Sequence, residues 1–195
     1  MERFFELLRS NKFSVTYDLP FSEEWTNEEI CDHIVTLDCS NNQLTSLPAQ
    51  LPLVEELYCE KNKLTSLPAQ LPLVTLLYCS YNQLTSLPSL PLVRVLYCSN
   101  NQLTSLPSLL LLTGLFCSNN DLTSLPPQLP LLRWLYCSNN QLTSLPSLPL
   151  LTELYCSNDQ LTFFTLNDWK EIWESVTGKL FVKSFYTREH TSSIN

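Results

Sequence analysis

The sequence predicts an α/β solenoid, in which near-identical turns each give one strand to a parallel sheet and return along an extended outer side between helical caps. Three observations carry this. One phrase, cleanest over residues 135–146 as LYCSNNQLTSLP, recurs seven times. Its cysteine falls at Cys39, Cys59, Cys79, Cys98, Cys117, Cys137 and Cys156, a spacing of 19 or 20 residues. Self-similarity at that period marks units that cannot close a core alone and stack on their neighbours. Leu-Pro pairs such as Leu47-Pro48 and Leu51-Pro52 punctuate the phrase, and proline fixes φ near −65° while disfavouring helix in the residue before it.

Residues 1–33 lack the phrase. Phe4, Phe5, Leu7 and Leu8 crowd a short amphipathic helix that stops near Ser10 and Asn11. Residues 13–17 alternate like a strand that Pro20 breaks. Thr26 and Glu29 have capping-box spacing, and Trp25 and Ile30 that of a hydrophobic staple, so 26–33 reads as a helix leading into the first turn. With the cysteine counted as position 6, positions 1, 4 and 6 (Val74, Leu77 and Cys79 in the third turn) face the core, and 2, 3 and 5 line the concave face.

Asparagine at position 9 (Asn42, Asn62, Asn82, Asn101, Asn120, Asn140) turns its amide inward to satisfy backbone groups at the bend. In the seventh copy Asp159 keeps the acceptor and loses the donor, which suggests that the ladder ends there. With Gly114 and Gly178 the chain's two glycines, the Ser-Asn-Asn tripeptides supply the left-handed bends. Beyond Leu161 the phrase stops. Trp169, Ile172, Trp173 and Val176 share one face of a helix starting in 165–168 and ending at Gly178; residues 180–186 suit a last strand, and 190–195 a loose tail. The organisation is an N-terminal cap over 1–33, seven turns over 34–161, and a helical cap and tail over 162–195, all one continuous domain.

Written around its cysteine, each copy reads L-x-x-L-x-C-x-x-N-x-L, as in residues 54–64 and 112–122. This resembles the leucine-rich repeat. The tail L-T-S-L-P-x-x-L-P is similar to the short, roughly 20-residue subclass of secreted bacterial effectors and giant-virus repeat proteins. The resemblance covers residues 34 to about 161. It implies a right-handed superhelix whose concave parallel sheet binds other proteins without catalysis. Resemblance to the effectors also brings a ubiquitin-ligase reading. Their catalytic part is a separate C-terminal domain for which this chain has no room, so here it would be the substrate-targeting half.

The net charge of −8 concentrates at the N-terminus: residues 1–33 carry eight acids and three bases, against seven and four over 34–161. No basic stripe runs along the chain, so nucleic acid is not an expected partner. No apolar run reaches the roughly 18 residues of a membrane span. Met1-Glu2-Arg3-Phe4-Phe5-Glu6 lacks the layout of a secretory signal, and no Asn-x-Ser/Thr sequon occurs. A cytoplasmic setting is expected, that of a host if the chain is viral or effector-derived.

The cysteines read as a reduced structural ladder. Metal ligation is disfavoured because no histidine accompanies them and no C-x-x-C occurs. In-register Cβ atoms about 4.8 Å apart lie beyond disulfide reach. No catalytic set is visible, and no cofactor or metal is expected. Position 5 forms a file of rings, Tyr58, Tyr78, Tyr97, Phe116, Tyr136 and Tyr155, opened by Asp38. Beside it, position 3 gives an apolar floor of Leu76, Val95 and Trp134 with a hollow at Gly114, and position 2 gives Arg94 and Arg133. Aromatic rings with arginine are the usual makeup of a binding hot spot, so these eleven residues (Tyr58, Leu76, Tyr78, Arg94, Val95, Tyr97, Phe116, Arg133, Trp134, Tyr136, Tyr155) are the expected partner-binding face. Self-association, and a small ligand in the Gly114 hollow, are alternative uses of the same repeats.

Overall fold

The computed structural model describes residues 1–157, 161 and 181–182. Helix α1 (Glu2–Arg9) buries Phe4 and Leu8, which lie four apart on one face. It ends at Ser10, and Asn11 then takes a left-handed φ of 54°. Strand β1 (Ser14–Tyr17) follows. Helix α2 (Asn27–His33) opens on the complete capping box: Glu29 N–H donates to Thr26 Oγ1 at 3.2 Å, and Thr26 N–H donates to Glu29 Oε2 at 2.7 Å. Trp25, expected to staple onto Ile30, stacks on His33 with ring centroids 4.4 Å apart. His33 Nδ1 in turn lies 2.8 Å from Asp18 Oδ1.

The seven copies of the phrase give seven parallel strands: β2 (Ile34–Asp38), β3 (Glu56–Tyr58), β4 (Leu76–Tyr78), β5 (Val95–Tyr97), β6 (Gly114–Phe116), β7 (Trp134–Tyr136) and β8 (Glu153–Tyr155). β9 (Phe181–Val182) adds to β8 in parallel, within the span expected as a last strand. β1 lies antiparallel across β2, with Ser14 opposite Asp38, so the nine strands run in chain order. Between the described strands β2 to β8 the chain returns without a helix, touching its neighbours at Gln50, Gln70 and Ser89. Asp159 and the expected helix, glycine cap and tail after Leu161 lie outside the described residues.

Strand alternation sorts the side chains as the pattern requires. Val54, Leu57 and Cys59 are 0% exposed, as are Val74, Leu77 and Cys79. Each buried leucine contributes about 2 kcal/mol of transfer free energy, and in-register stacking makes the core one continuous file. Burial pushes the thiols of Cys59, Cys79 and Cys98 well above their usual range. Cys39, Cys59, Cys79 and Cys98 are therefore reduced, neutral packing groups.

The asparagine ladder forms. Asn82 Nδ2 donates to the carbonyls of Cys59 and Cys79 at 3.0 and 3.1 Å, while its Oδ1 accepts from Leu64 N–H at 3.0 Å. Asn101 and Asn120 repeat this with Cys79, Cys98 and Cys117 and with the amides of Leu84 and Leu103. Each asparagine thus ties its own bend to the one before it. The repeat cannot spare either end of the amide.

The left-handed bends depart from expectation in one respect. Position 8 has φ between 52° and 60° in the first six turns, but in two of them the residue is Lys61 or Tyr81 rather than asparagine. The backbone amide fixes the geometry: Lys61 N–H donates to Ser80 O and Tyr81 N–H to Ser99 O, both at 2.9 Å, just as Asn100 N–H donates to Ser118 O. Neighbouring turns therefore impose the angle on whatever residue stands there, at a cost for a side chain with Cβ of about 1–2 kcal/mol. Lys61→Asn and Tyr81→Asn should each raise stability in chemical denaturation by about 0.5–1 kcal/mol. Tyr81 is 55% exposed, so little packing is lost with its ring.

Candidate functional site

Positions 3 and 5 share one face because strand side chains alternate and the turns stack without a register slip, and position 2 leads into each of strands β3 to β8. Thr36, Glu56, Leu76, Val95, Gly114, Trp134 and Glu153 form one row across the sheet, and Asp38, Tyr58, Tyr78, Tyr97, Phe116, Tyr136 and Tyr155 another. Nine of the eleven residues expected on this face stand in these two rows, while Arg94 and Arg133 each precede a strand by one residue. Arg94, Arg133 and Trp134 are exposed, and the other eight are half-buried.

The six rings form an unbroken stack. Centroid separations are 5.0 Å for Tyr58–Tyr78, 4.1 Å for Tyr78–Tyr97 and for Tyr97–Phe116, 4.8 Å for Phe116–Tyr136 and 4.2 Å for Tyr136–Tyr155, with planes 6–27° apart. Strands in a sheet are about 4.8 Å apart. Three of the pairs lie closer than that, as rings do on the inner side of a sheet curved toward them. Each stacked pair adds about 0.5–1.5 kcal/mol beyond area burial, so the file stiffens the sheet while keeping its edges accessible.

Gly114 is buried, and a methyl group placed there would meet Phe116 and Trp134 at 3.4 Å and Val95 at 3.5 Å. The expected hollow is thus closed in by Trp134, whose ring leans over the glycine. A small ligand seated there would have to displace it. The missing side chain instead makes room for the indole, which remains 38% exposed.

Polar anchors complete the face. Tyr58 Oη donates to Glu56 Oε2 at 3.1 Å within one strand, and Tyr136 Oη donates to Glu153 Oε2 at 2.8 Å across turns. Both carboxylates stand at position 3, which strand alternation sets on the same face as the position-5 hydroxyls. The threonines of position 2 point back to the sheet: Thr113 and Thr152 donate to Arg94 O and Arg133 O at 2.9 Å. That leaves Glu55, Arg94 and Arg133 as the long charged side chains of the row, and none forms a salt bridge among the described residues.

Burial and the hydroxyl of Tyr97 push the Tyr78 phenol up to about 12, and burial with the Glu153 carboxylate raises Tyr136 further. Both states of Tyr78 keep their proton below about pH 10, the usual phenol value. Between there and about 12 the unfolded chain loses the proton that the folded chain keeps, so stability falls through that window. In titration at 295 nm, Tyr78 and Tyr136 should ionise only with alkaline unfolding. Ionisation near pH 10 with the fold intact would contradict the geometry.

With repeat, ladder and face in place, the chain can be set beside known proteins. The family model of leucine-rich repeats (two copies) matches residues 130–168. The chain is a leucine-rich-repeat solenoid. A search of the curated proteins gave no match. Among solved structures, it is similar to the leucine-rich effector protein YopM from Yersinia pestis, at 37% identity and a TM-score of 0.60 over 64% of this chain and 37% of that one. It is also similar to a Shigella effector leucine-rich-repeat domain, at 29% identity and 0.64 over 85% and 67%. A third likeness is to the functional domain of InlJ from Listeria monocytogenes, which includes a cysteine ladder, at 30% identity and 0.55 over 76% and 38%. This leucine-rich-repeat chain therefore spans under two-fifths of the length of the YopM and InlJ chains. Its own ladder, with Cys39, Cys59, Cys79 and Cys98 wholly buried, is part of the core and not of the face.

Proposed function

We propose that the inner sheet face is a non-enzymatic protein-binding surface, centred on Arg94, Val95, Tyr97, Phe116, Arg133, Trp134 and Tyr136. One observation carries the reading: an exposed indole stands in the row beside an unbroken stack of half-buried rings, with Arg94 and Arg133 exposed next to that row and in no salt bridge among the described residues. Large rigid side chains lose little entropy on contact, and rings with arginine dominate measured binding hot spots. The effector relatives support an interaction role of this kind, and the reduced buried thiols suit a cytoplasmic setting. Among the described residues no helix is long and apolar enough to cross a membrane. The ubiquitin-ligase reading rests on the effector likeness alone.

Tyr97→Ala, Trp134→Ala and Tyr136→Ala combined should abolish capture of a protein partner while the circular dichroism of the folded chain persists. Because the triple variant also breaks the stack, Arg94→Glu with Arg133→Glu serves as a second test that leaves every ring in place. Undiminished capture by both variants removes this face from the binding role.

Self-association is the second reading, and a separate file favours it. Leu92, Leu131 and Leu150, each just before position 1, and the neighbouring Leu110 are 38–48% exposed. Sedimentation velocity over a concentration series decides it, since a monomer throughout ends the idea.

A further inference from the structure

The aromatic stack ends abruptly at its N-terminal side. Tyr78, Tyr97, Phe116 and Tyr136 each have a ring on both faces, whereas among the described residues Tyr58 has one on a single face, that of Tyr78. On its other side the row continues in register through Asp38 and then Ser14, both exposed and both shorter than a ring. The sheet face therefore has a step beside Tyr58, floored by small side chains and walled by a phenol plane.

Carboxylates line that step, and the lysines of the same turn, Lys61 and Lys63, follow Glu60 in the bend. Asp38 stands where the next ring would be, and its Oδ1 accepts from Ser40 N–H at 3.0 Å, which holds the carboxylate in place. Glu56 is tied to the Tyr58 hydroxyl at 3.1 Å, with Glu55 and Glu60 adjacent along the same turn. None of these four carboxylates is in a salt bridge among the described residues. Arg94 is two strands away, about 10 Å at sheet spacing, where salt screens much of its field.

We infer that this end of the inner face receives an arginine side chain of a basic partner segment, its guanidinium continuing the ring stack over Tyr58 and its N–H groups donating to Asp38 and Glu56. The inference rests on the reading of the inner face as a protein-binding surface and adds the chemistry of what enters it. A guanidinium is planar, weakly hydrated and rich in donors, so it stacks on a ring and meets carboxylates at once; an ammonium is drawn to both but has no plane to stack and is more strongly hydrated. A phosphate-bearing partner is disfavoured by the same carboxylates. Tyr58 already feels the negative charge, since burial first and then Glu56 and Asp38 raise its phenol above the usual value.

The test uses the full chain and three capped peptides, Arg-Gly-Arg-Gly-Arg and its lysine and glutamate counterparts, followed by backbone amide shifts in NMR titration. The arginine peptide should move the amides of Asp38, Glu56 and Tyr58, and bind about 2- to 5-fold more tightly than the lysine peptide. The glutamate peptide should not bind. Asp38→Asn with Glu56→Gln keeps both internal hydrogen-bond acceptors, and should weaken the arginine peptide about 3- to 10-fold. Tyr58→Leu should remove the preference for arginine over lysine and leave the charge dependence. Equal binding of all three peptides, or arginine shifts that map elsewhere, would overturn the inference. So would concentration-dependent dimerisation lost in the same variants, which would give the step to a second copy. If the inference fails while partner capture still depends on Tyr97, Trp134 and Tyr136, the binding face stands without it. If capture ignores every inner-face substitution, the wider reading fails as well.

Discussion

Asn120→Ala lowers the stability of the chain by about 2–4 kcal/mol. The asparagine is buried, and its loss strands Leu103 N–H, which donates to its Oδ1 at 3.0 Å, and removes one of two donors from the carbonyls of Cys98 and Cys117, which keep Asn101 and Asn140. Each buried group left without a partner costs about 1–3 kcal/mol. Asn120→Asp belongs in the same experiment, because it keeps the acceptor but aims a carboxylate at two carbonyl oxygens. Its loss should match or exceed that of alanine. Gln102→Ala, at an exposed position of the preceding bend, should stay within about 0.5 kcal/mol. Chemical denaturation measures the difference. Hydrogen exchange should speed up on both sides of the substitution, since the side chain joins the fourth turn to the fifth. An alanine variant as stable as the parent would show that the ladder is ornamental.

The second large effect is expected at Leu96→Ala, at about 3 kcal/mol within a range of roughly 2–5. Leu96 is 0% exposed and stacks in register between Leu77 and Leu115. A cavity there has fixed walls, because the strands on either side are pinned by their own hydrogen bonds and cannot collapse inward. Leu92, only four residues earlier, is 39% exposed, and Leu92→Ala should cost no more than about 0.5 kcal/mol. Thermal melting of the pair checks the layering directly. Equal losses would place both leucines in the same environment, against the observed burial.

The fold was legible because the sequence states it repeatedly. Position 4 is leucine in every turn and packs in register in every turn, and one such coincidence would mean little where seven decide the architecture. The ladder could be read for the same reason, since asparagine alone carries a donor pair and an acceptor on one short side chain. What escaped notice depends on three-dimensional neighbours. Lys61 and Tyr81 have no intrinsic liking for positive φ, and the adjacent turns impose it through backbone hydrogen bonds. β1 had a strand pattern, but nothing in its residues named β2 as its antiparallel partner. On the inner face, the rows of positions 3 and 5 follow from strand alternation, whereas the closing of the Gly114 hollow by Trp134 depends on a ring orientation that spacing does not encode.

The direction in which the asparagines reach has a consequence for synthesis. Leu84 N–H is met by Asn101, 17 residues later, and Leu64 N–H by Asn82, 18 residues later. That leucine amide therefore has no partner from the ladder until almost one further turn has been made. At about 5–20 residues per second, that delay is about one to four seconds. The growing protein should set from its first turn forward, trailing a single unfinished loop behind the tunnel, so that a translational pause just before an asparagine leaves one exposed leucine amide waiting in water.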